Sequence, residues 1–203
     1  MVERRGRRVV VDGAGPLADQ IAALLRRCEV RVDAGRQAAD AAELELRDLE
    51  ELDIGSASRP DAVVLVRDRN VSAVLGAPWR ARGVPHLPVT LHDGLLVIGP
   101  LVIPGVSGCL VCQELTQRDL MGAFPVEPRA APPLRLDRTA LDALGAAVAT
   151  LHVLGVLKGS KRLAGVSTEV LVDAPTLTHR HWPPHPGCGC GAAERPTSVT
   201  MAG

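Results

Sequence analysis

An α/β fold, with a mostly parallel sheet flanked by helices and a four-cysteine metal site near the C-terminus, is predicted by three features of the sequence. A glycine turn, Gly13-Ala14-Gly15-Pro16-Leu17-Ala18, directly follows the β-branched run RRVVVD at 7–12. Similar apolar runs then alternate with segments of helical period through the first half of the chain. Two cysteine pairs complete the set: Cys109-Leu110-Val111-Cys112 and Cys188-Gly189-Cys190.

Length and composition bound the possibilities. A chain of 203 residues suits one domain, and 1–203 is read as a single unit whose last residues, 192–203, are small and polar and expected to fray. Hydrophobic residues make up 46% of the chain, yet it holds one Phe, two Trp and no Tyr, so Val, Leu, Ile and Ala must build the core. Lys+Arg and Asp+Glu are equal at 23 each, which leaves no net field for nucleic acid or a membrane surface. Bases also need aromatic platforms, which are scarce here. No apolar run is expected to reach the ~18–20 residues of a membrane span. The start, MVERRGRRVVVDG, lacks the apolar stretch and cleavage site of a signal peptide. A cytoplasmic setting is expected, in which five cysteines argue for metal binding or catalysis before disulfides.

The run at 7–12 does not alternate, as befits a strand buried on both faces. In the turn that follows, Gly13 serves the tight bend, Gly15 allows close backbone approach, and Ala18 packs helix on strand. Pro16 suits a first helical position, where its missing N–H costs nothing. Leu17, Ile21, Leu24 and Leu25 recur at helical spacing. Residues 28–33, CEVRVD, read as the second strand, and its last residue, Asp33, lies 20 positions after Gly13, where a ribose-binding acid is often found. Residues 38–53 are a charged helix or a linker. Residues 61–67 form another buried strand ending near Asp68, at the sheet edge where ligands gather. Two short strands within 86–99 are joined at Asp93-Gly94, a hairpin signal. Two readings of the turn stay open: a nucleotide site using Gly13, Gly15, Asp33 and Asp68, or a Rossmann-like fold that kept its glycines for packing.

The cysteines carry the most specific chemistry. Cys109, Cys112, Cys188 and Cys190 supply the four thiolates of a tetrahedral structural zinc site, and the flanking Gly187 and Gly191 allow the tight backbone that chelation needs. The two pairs are separated by 75 residues, too many for an isolated zinc finger, so the metal would clip together the ends of a long excursion. An iron–sulfur cluster uses the same ligands and stays open. A redox role for Cys109 and Cys112 would leave the second pair unexplained. Cys28 reads as a small buried hydrophobe. His181 and His185 read as groups beside the site, since four cysteines already close it.

Several segments resemble ThiF-like, ubiquitin-activating-type proteins. Residues 98–112, IGPLVIPGVSGCLVC, resemble the approach to their first zinc knuckle. Residues 139–159, TALDALGAAVATLHVLGVLKG, resemble their crossover helix, and EVLVD at 169–173 their late strand. HPGCGCG at 185–191 resembles the terminal zinc pair in its azole-biosynthesis form. The resemblance implies a homodimeric partner of a YcaO-type cyclodehydratase, which uses ATP to cyclise Cys, Ser or Thr residues of a ribosomal precursor peptide. It implies a role in presenting that peptide. Adenylating members use a mid-chain lysine, whereas the lysines here are Lys158 and Lys161, late in the chain; Arg36 and Gln37 echo the family's Arg- and Asn-rich stretch only weakly. No cysteine outside the zinc set sits where thioester-forming members place theirs. ATP with magnesium is therefore not expected, and the nucleotide site is read as vestigial. The winged-helix leader clamp of many relatives is not seen before the first strand, so leader binding is expected to need a separate leader-binding protein or another surface of this chain. The alternative is an ATP-dependent adenylating enzyme acting on a C-terminal carboxylate.

The remaining polar and aromatic residues have structural readings. Trp79, in APWRARG, is expected on an exposed loop or rim. His86 and His92 flank a strand in structural roles. The Pro-rich stretch 124–137 is expected to cross the face of the protein and to offer a docking segment.

Overall fold

A computed structural model describes residues 6–51, 59–92, 94–123, 138–171 and 176–192. The expected docking segment 124–137, the hairpin residue at 93, positions 172–173 of the late strand and residues 193–203 of the tail lie outside the described residues.

Seven strands form one sheet in the order β2-β1-β3-β4-β5-β6-β7. The strands are β1 (Arg8–Asp12), β2 (Arg31–Gly35), β3 (Ala62–Arg67), β4 (His86–His92), β5 (Leu95–Ile98), β6 (Val166–Leu171) and β7 (Leu177–His181). Pairs β1–β2, β1–β3 and β3–β4 are parallel, and the three later pairs are antiparallel. Following these directions, β1, β2, β3, β4 and β6 run one way and β5 and β7 the other. The sheet is thus mostly parallel, with an antiparallel extension beyond the β4–β5 hairpin, where His92 pairs with Leu95.

Helices cover both faces. The helices are α1 (Pro16–Arg27), α2 (Ala38–Glu51), α3 (Ala73–Ala81), α4 (Leu110–Ala123) and α5 (Arg138–Leu157). Alternation along β1 divides the core: Val9 and Val11 pack with α1 and α5, while Val10 packs with α2, α3 and α4. All three valines are fully buried, as a strand sandwiched between helix layers requires. The charged stretch after β2 is a helix rather than a linker, because Ala39, Ala42 and Leu46 form a buried stripe at helical spacing.

Three expectations are corrected. The second strand spans 31–35 rather than 28–33; Cys28 instead ends α1, where it packs half-buried against the core. Trp79 is not on a loop: it lies in α3 and is 1% exposed, among the largest buried side chains. Pro78 and Gly83 gave its surroundings the look of a turn, yet α3 continues through Pro78 and Gly76 packs against His86 and Leu110. Finally, α5 is 20 residues long and apolar enough by length and composition to cross a membrane. Asp142 and His152, both buried, interrupt its apolar run, and its inner face packs on α1 and β5, so it is a core helix.

Candidate functional site

The cysteine pairs meet. Cys109 immediately precedes α4 and Cys112 lies in its first turn, so the C-x-x-C spacing turns both thiols to one side. Cys188 and Cys190 lie in turns beyond β7. That segment is anchored by Trp182, whose N–H donates to the Gly165 carbonyl at 2.8 Å and whose indole Nε1 donates to Ser167 Oγ at 2.9 Å. Gly108 makes the approach possible: a Cβ there would meet the carbonyl oxygens of Trp182 and Pro183 at 2.9 Å.

The resulting geometry is that of a ligand shell. Sulfur separations are 3.8 Å for Cys109–Cys112, 3.6 Å for Cys109–Cys188 and 3.6 Å for Cys112–Cys190, and all four sulfurs lie within 4.8 Å of one another. A tetrahedral ion with sulfur ligands at ~2.3 Å has S···S edges of about 3.8 Å. Cys109 and Cys112 are buried, and Cys188 and Cys190 half-buried. Burial pushes the Cys112 and Cys188 thiols up. Burial also opposes ionisation of Cys190, but a backbone hydrogen bond near Ala192 and the neighbouring thiols outweigh it, and that thiol is lowered. Four thiolates here need a cation to offset their mutual repulsion. The four cysteines can hold one metal ion.

His185 braces this site. Its ring pairs with Asp119 Oδ2 on α4 at 2.8 Å through Nε2, while Nδ1 accepts the Gly187 N–H at 3.0 Å. Its carbonyl accepts the Cys188 N–H at 3.0 Å. Both ring nitrogens are therefore engaged away from the sulfurs. His181 lies on the exposed strand β7.

A second site opens at the carboxyl ends of β1 and β3, where the strand order turns outward in both directions. A cavity of about 740 Å³ lies between the glycine turn, the ends of β2 and β3, and the start of α5. Gly13 faces β3, and a Cβ on it would clash with Val66 Cβ at 2.8 Å, so its need is for space. Gly15 has φ +93° and open space around it, so its need is conformational. No side chain caps α1, whose first turn, beginning at Pro16, lines the cavity and leaves the N–H groups after the proline without a side-chain partner.

The structure brings some predicted residues to this cavity and leaves one out. Gly13, Gly15 and Asp68 line it, together with Arg36 and Gln37. Asp33 does not. It stands two residues before the end of β2 and pairs with Arg8 at 2.7 Å, because the strand begins and ends later than its sequence pattern suggested. Asp12, Arg67, Arg138 and Asp142 were not singled out from the sequence. Arg67 donates to Asp12 Oδ2, and Arg138 pairs with Asp68 at 3.8 Å. The one available signal was an acid, Asp142, inside an otherwise apolar helix. A separate groove of about 500 Å³ lies between α4 and strands β4–β7, walled by Gln117, Met121, Glu169 and Trp182.

No protein-family model and no curated protein matches the chain. Solved structures do. The chain aligns with E. coli MccB at TM-score 0.63 and 14% identity, covering 95% of this chain and 67% of that one. The microcin C7 biosynthetic enzyme MccB in complex with N-formylated MccA aligns at TM-score 0.59 and 13% identity, covering 91% and 67%. The heterocyclase TruD aligns at TM-score 0.58 and 19% identity, covering 94% of this chain and 28% of that one. The likeness is one of fold. The chain spans about two thirds of the MccB chains, 66% for the succinimide complex, and a smaller part of TruD.

Proposed function

We propose that this chain is a non-catalytic, ThiF-like partner of a YcaO-type cyclodehydratase, presenting a ribosomal precursor peptide for azoline formation. Its mechanism would be proximity and orientation supplied in trans. The observation that carries the non-catalytic part is the state of the crevice between β1 and β3: Arg67 is tied to the buried Asp12, and Arg138 stands 3.8 Å from the exposed Asp68. Transfer of a phosphoryl or adenylyl group relies on cations aimed at the phosphates. The fold shared with the heterocyclase TruD, and with MccB in its complex with MccA, supports work on a peptide. In this reading the four cysteines hold a structural zinc, which ties the C-terminal segment to α4 and supplies folding energy without taking part in chemistry. A homodimer and a cytoplasmic setting belong to the same reading.

The test is reconstitution. A YcaO-type enzyme from the same source, with its precursor peptide, should lose water from Cys, Ser or Thr residues faster when this chain is added, and should co-purify with it. No stimulation and no co-purification would sink the proposal. The open N-terminus of α1 favours the second reading, an adenylating enzyme. Release of pyrophosphate from ATP in the presence of a peptide carboxylate, with no cyclodehydratase present, would establish that one instead.

A further inference from the structure

The charges that line the crevice do not suit the ligand this fold usually carries. Three arginines, Arg36, Arg67 and Arg138, face three acids, Asp40, Asp68 and Asp142. Asp12 adds a further negative charge behind Arg67. Arg36 makes no ion pair among the described residues, and Arg138 only the exposed one with Asp68 at 3.8 Å. A polyphosphate, with several negative charges, meets no net positive charge from the lining side chains; the N-terminus of α1 is its one other attraction there.

Asp142 is the decisive residue. It is 3% exposed, it lines the cavity, and its Oδ1 has no hydrogen-bond partner. It cannot withdraw. One turn along α5, Gly145 packs so tightly that a Cβ there would stand 3.0 Å from Leu17 and 3.1 Å from Leu96. Asp142 and the first turn of α1 thus line the same cavity. Burial raises its proton affinity, as does Asp68, while Arg138 works the other way. A buried acceptor without a donor is costly unless a ligand supplies one.

We propose that Asp142 sets the selectivity of this cavity, refusing polyphosphates and accepting an uncharged stretch of peptide. A main chain brings one N–H and one C=O per residue and no charge. Asp142 takes an N–H or O–H donor, and the open N-terminus of α1 takes a carbonyl. The cavity volume falls within the range of sites that enclose small ligands. The peptide identity rests on the peptide-presenting reading above; the refusal of polyphosphate rests on the cavity alone.

The test is an NMR titration of the chain, following the amide signals of Gly13, Ala14, Gly15 and Leu17. The probes are ATP, with and without magnesium, and a pool of end-blocked pentapeptides containing Cys, Ser and Thr. The pool should shift these signals in the wild type and ATP should not. Asp142→Asn, which keeps an acceptor but loses the charge, should bind ATP at least tenfold more tightly than the wild type and retain the pool. Asp142→Ala should lose the pool by tenfold or more. The inference is overturned if ATP moves these signals in the wild type, if the asparagine variant gains nothing, or if the pool leaves them unmoved. Stimulation of a cyclodehydratase by a chain that binds ATP here would defeat this inference and leave the proposed function standing. Peptide binding without stimulation would do the reverse.

Discussion

Arg67, at the end of β3, reaches across to Asp12, at the end of β1, donating to its Oδ2 at 2.5 Å and to its main-chain oxygen at 3.0 Å. The second Asp12 oxygen accepts the Ala39 N–H at the start of α2, at 3.3 Å. One buried carboxylate thus joins two strands and a helix at the crevice. Removing only the guanidinium strands that charge. Arg67→Met should cost about 3 kcal/mol in urea denaturation, the low end for a broken buried pair because Arg67 is part-exposed. The double variant with Asp12→Asn should recover much of the loss. Equal instability of the single and double variants would show that the pair is not what matters.

The sulfur geometry leads to a metal prediction. Cys109→Ser and Cys188→Ser should each lose the metal ion, zinc in the proposed reading, and destabilise the chain by several kcal/mol, since binding energy at such a site is largely folding energy. Metal analysis with chemical denaturation checks this. Unchanged metal content and stability in both variants would remove the assignment.

His185 separates bracing from ligation. His185→Ala and Asp119→Ala should both keep one metal per chain while weakening its affinity about tenfold, the scale seen when the partner of a metal site is removed. A competition titration with a chelator reads this out. Loss of the metal altogether in His185→Ala alone would make the imidazole a ligand.

Acid should weaken the fold through two histidines. Burial lowers His86 and His152 from the ordinary 6.5 to about 4, so both are neutral in the folded chain at pH values where the unfolded chain protonates them. Their contribution is therefore complete above about pH 6.5 and is lost as the pH falls toward about 4, amounting to about 2 kcal/mol per group at pH 5. His152→Leu, compared with wild type in urea melts from neutral pH downward, should lose stability less steeply. Parallel curves would mean that His152 is already paired with solvent or protonated in the native state.

Trp79 tests the least anticipated part of the core. Trp79→Ala should cost about 3–5 kcal/mol, as a large buried aromatic does. A change within about 0.5 kcal/mol is what an exposed residue would give, and would return Trp79 to the surface.

How much of this was legible depends on the range of the forces involved. Val9–Val11, the glycine turn and the hairpin before Leu95 were readable because strand burial, helix entry and tight turns are decided within a few residues. The cysteine quartet was readable because four thiols in two tight pairs have few other uses, although their convergence depends on Gly108 and the Trp182 anchor. Strand β7, exposed along its whole length, carries no burial pattern and left no signal. Asp33 was misplaced because counting from Gly13 assumes where β2 begins, and that register comes from pairing with β1. Trp79 was misread because Pro78 suggests a break, while packing of Gly76 on His86 and Leu110 holds the helix together.

By itself, the sequence determined the strand–turn–helix start, the alternation of elements and the identity of the four sulfurs, all of which follow from local backbone preference and residue chemistry. Only the tertiary structure decided the character of the crevice. Asp12 meets Arg67, Asp68 meets Arg138, and Asp142 lines one cavity with the α1 turn, although these residues are far apart in the chain. Charge pairing and burial at a site depend on which elements the sheet brings together, and no local pattern encodes that.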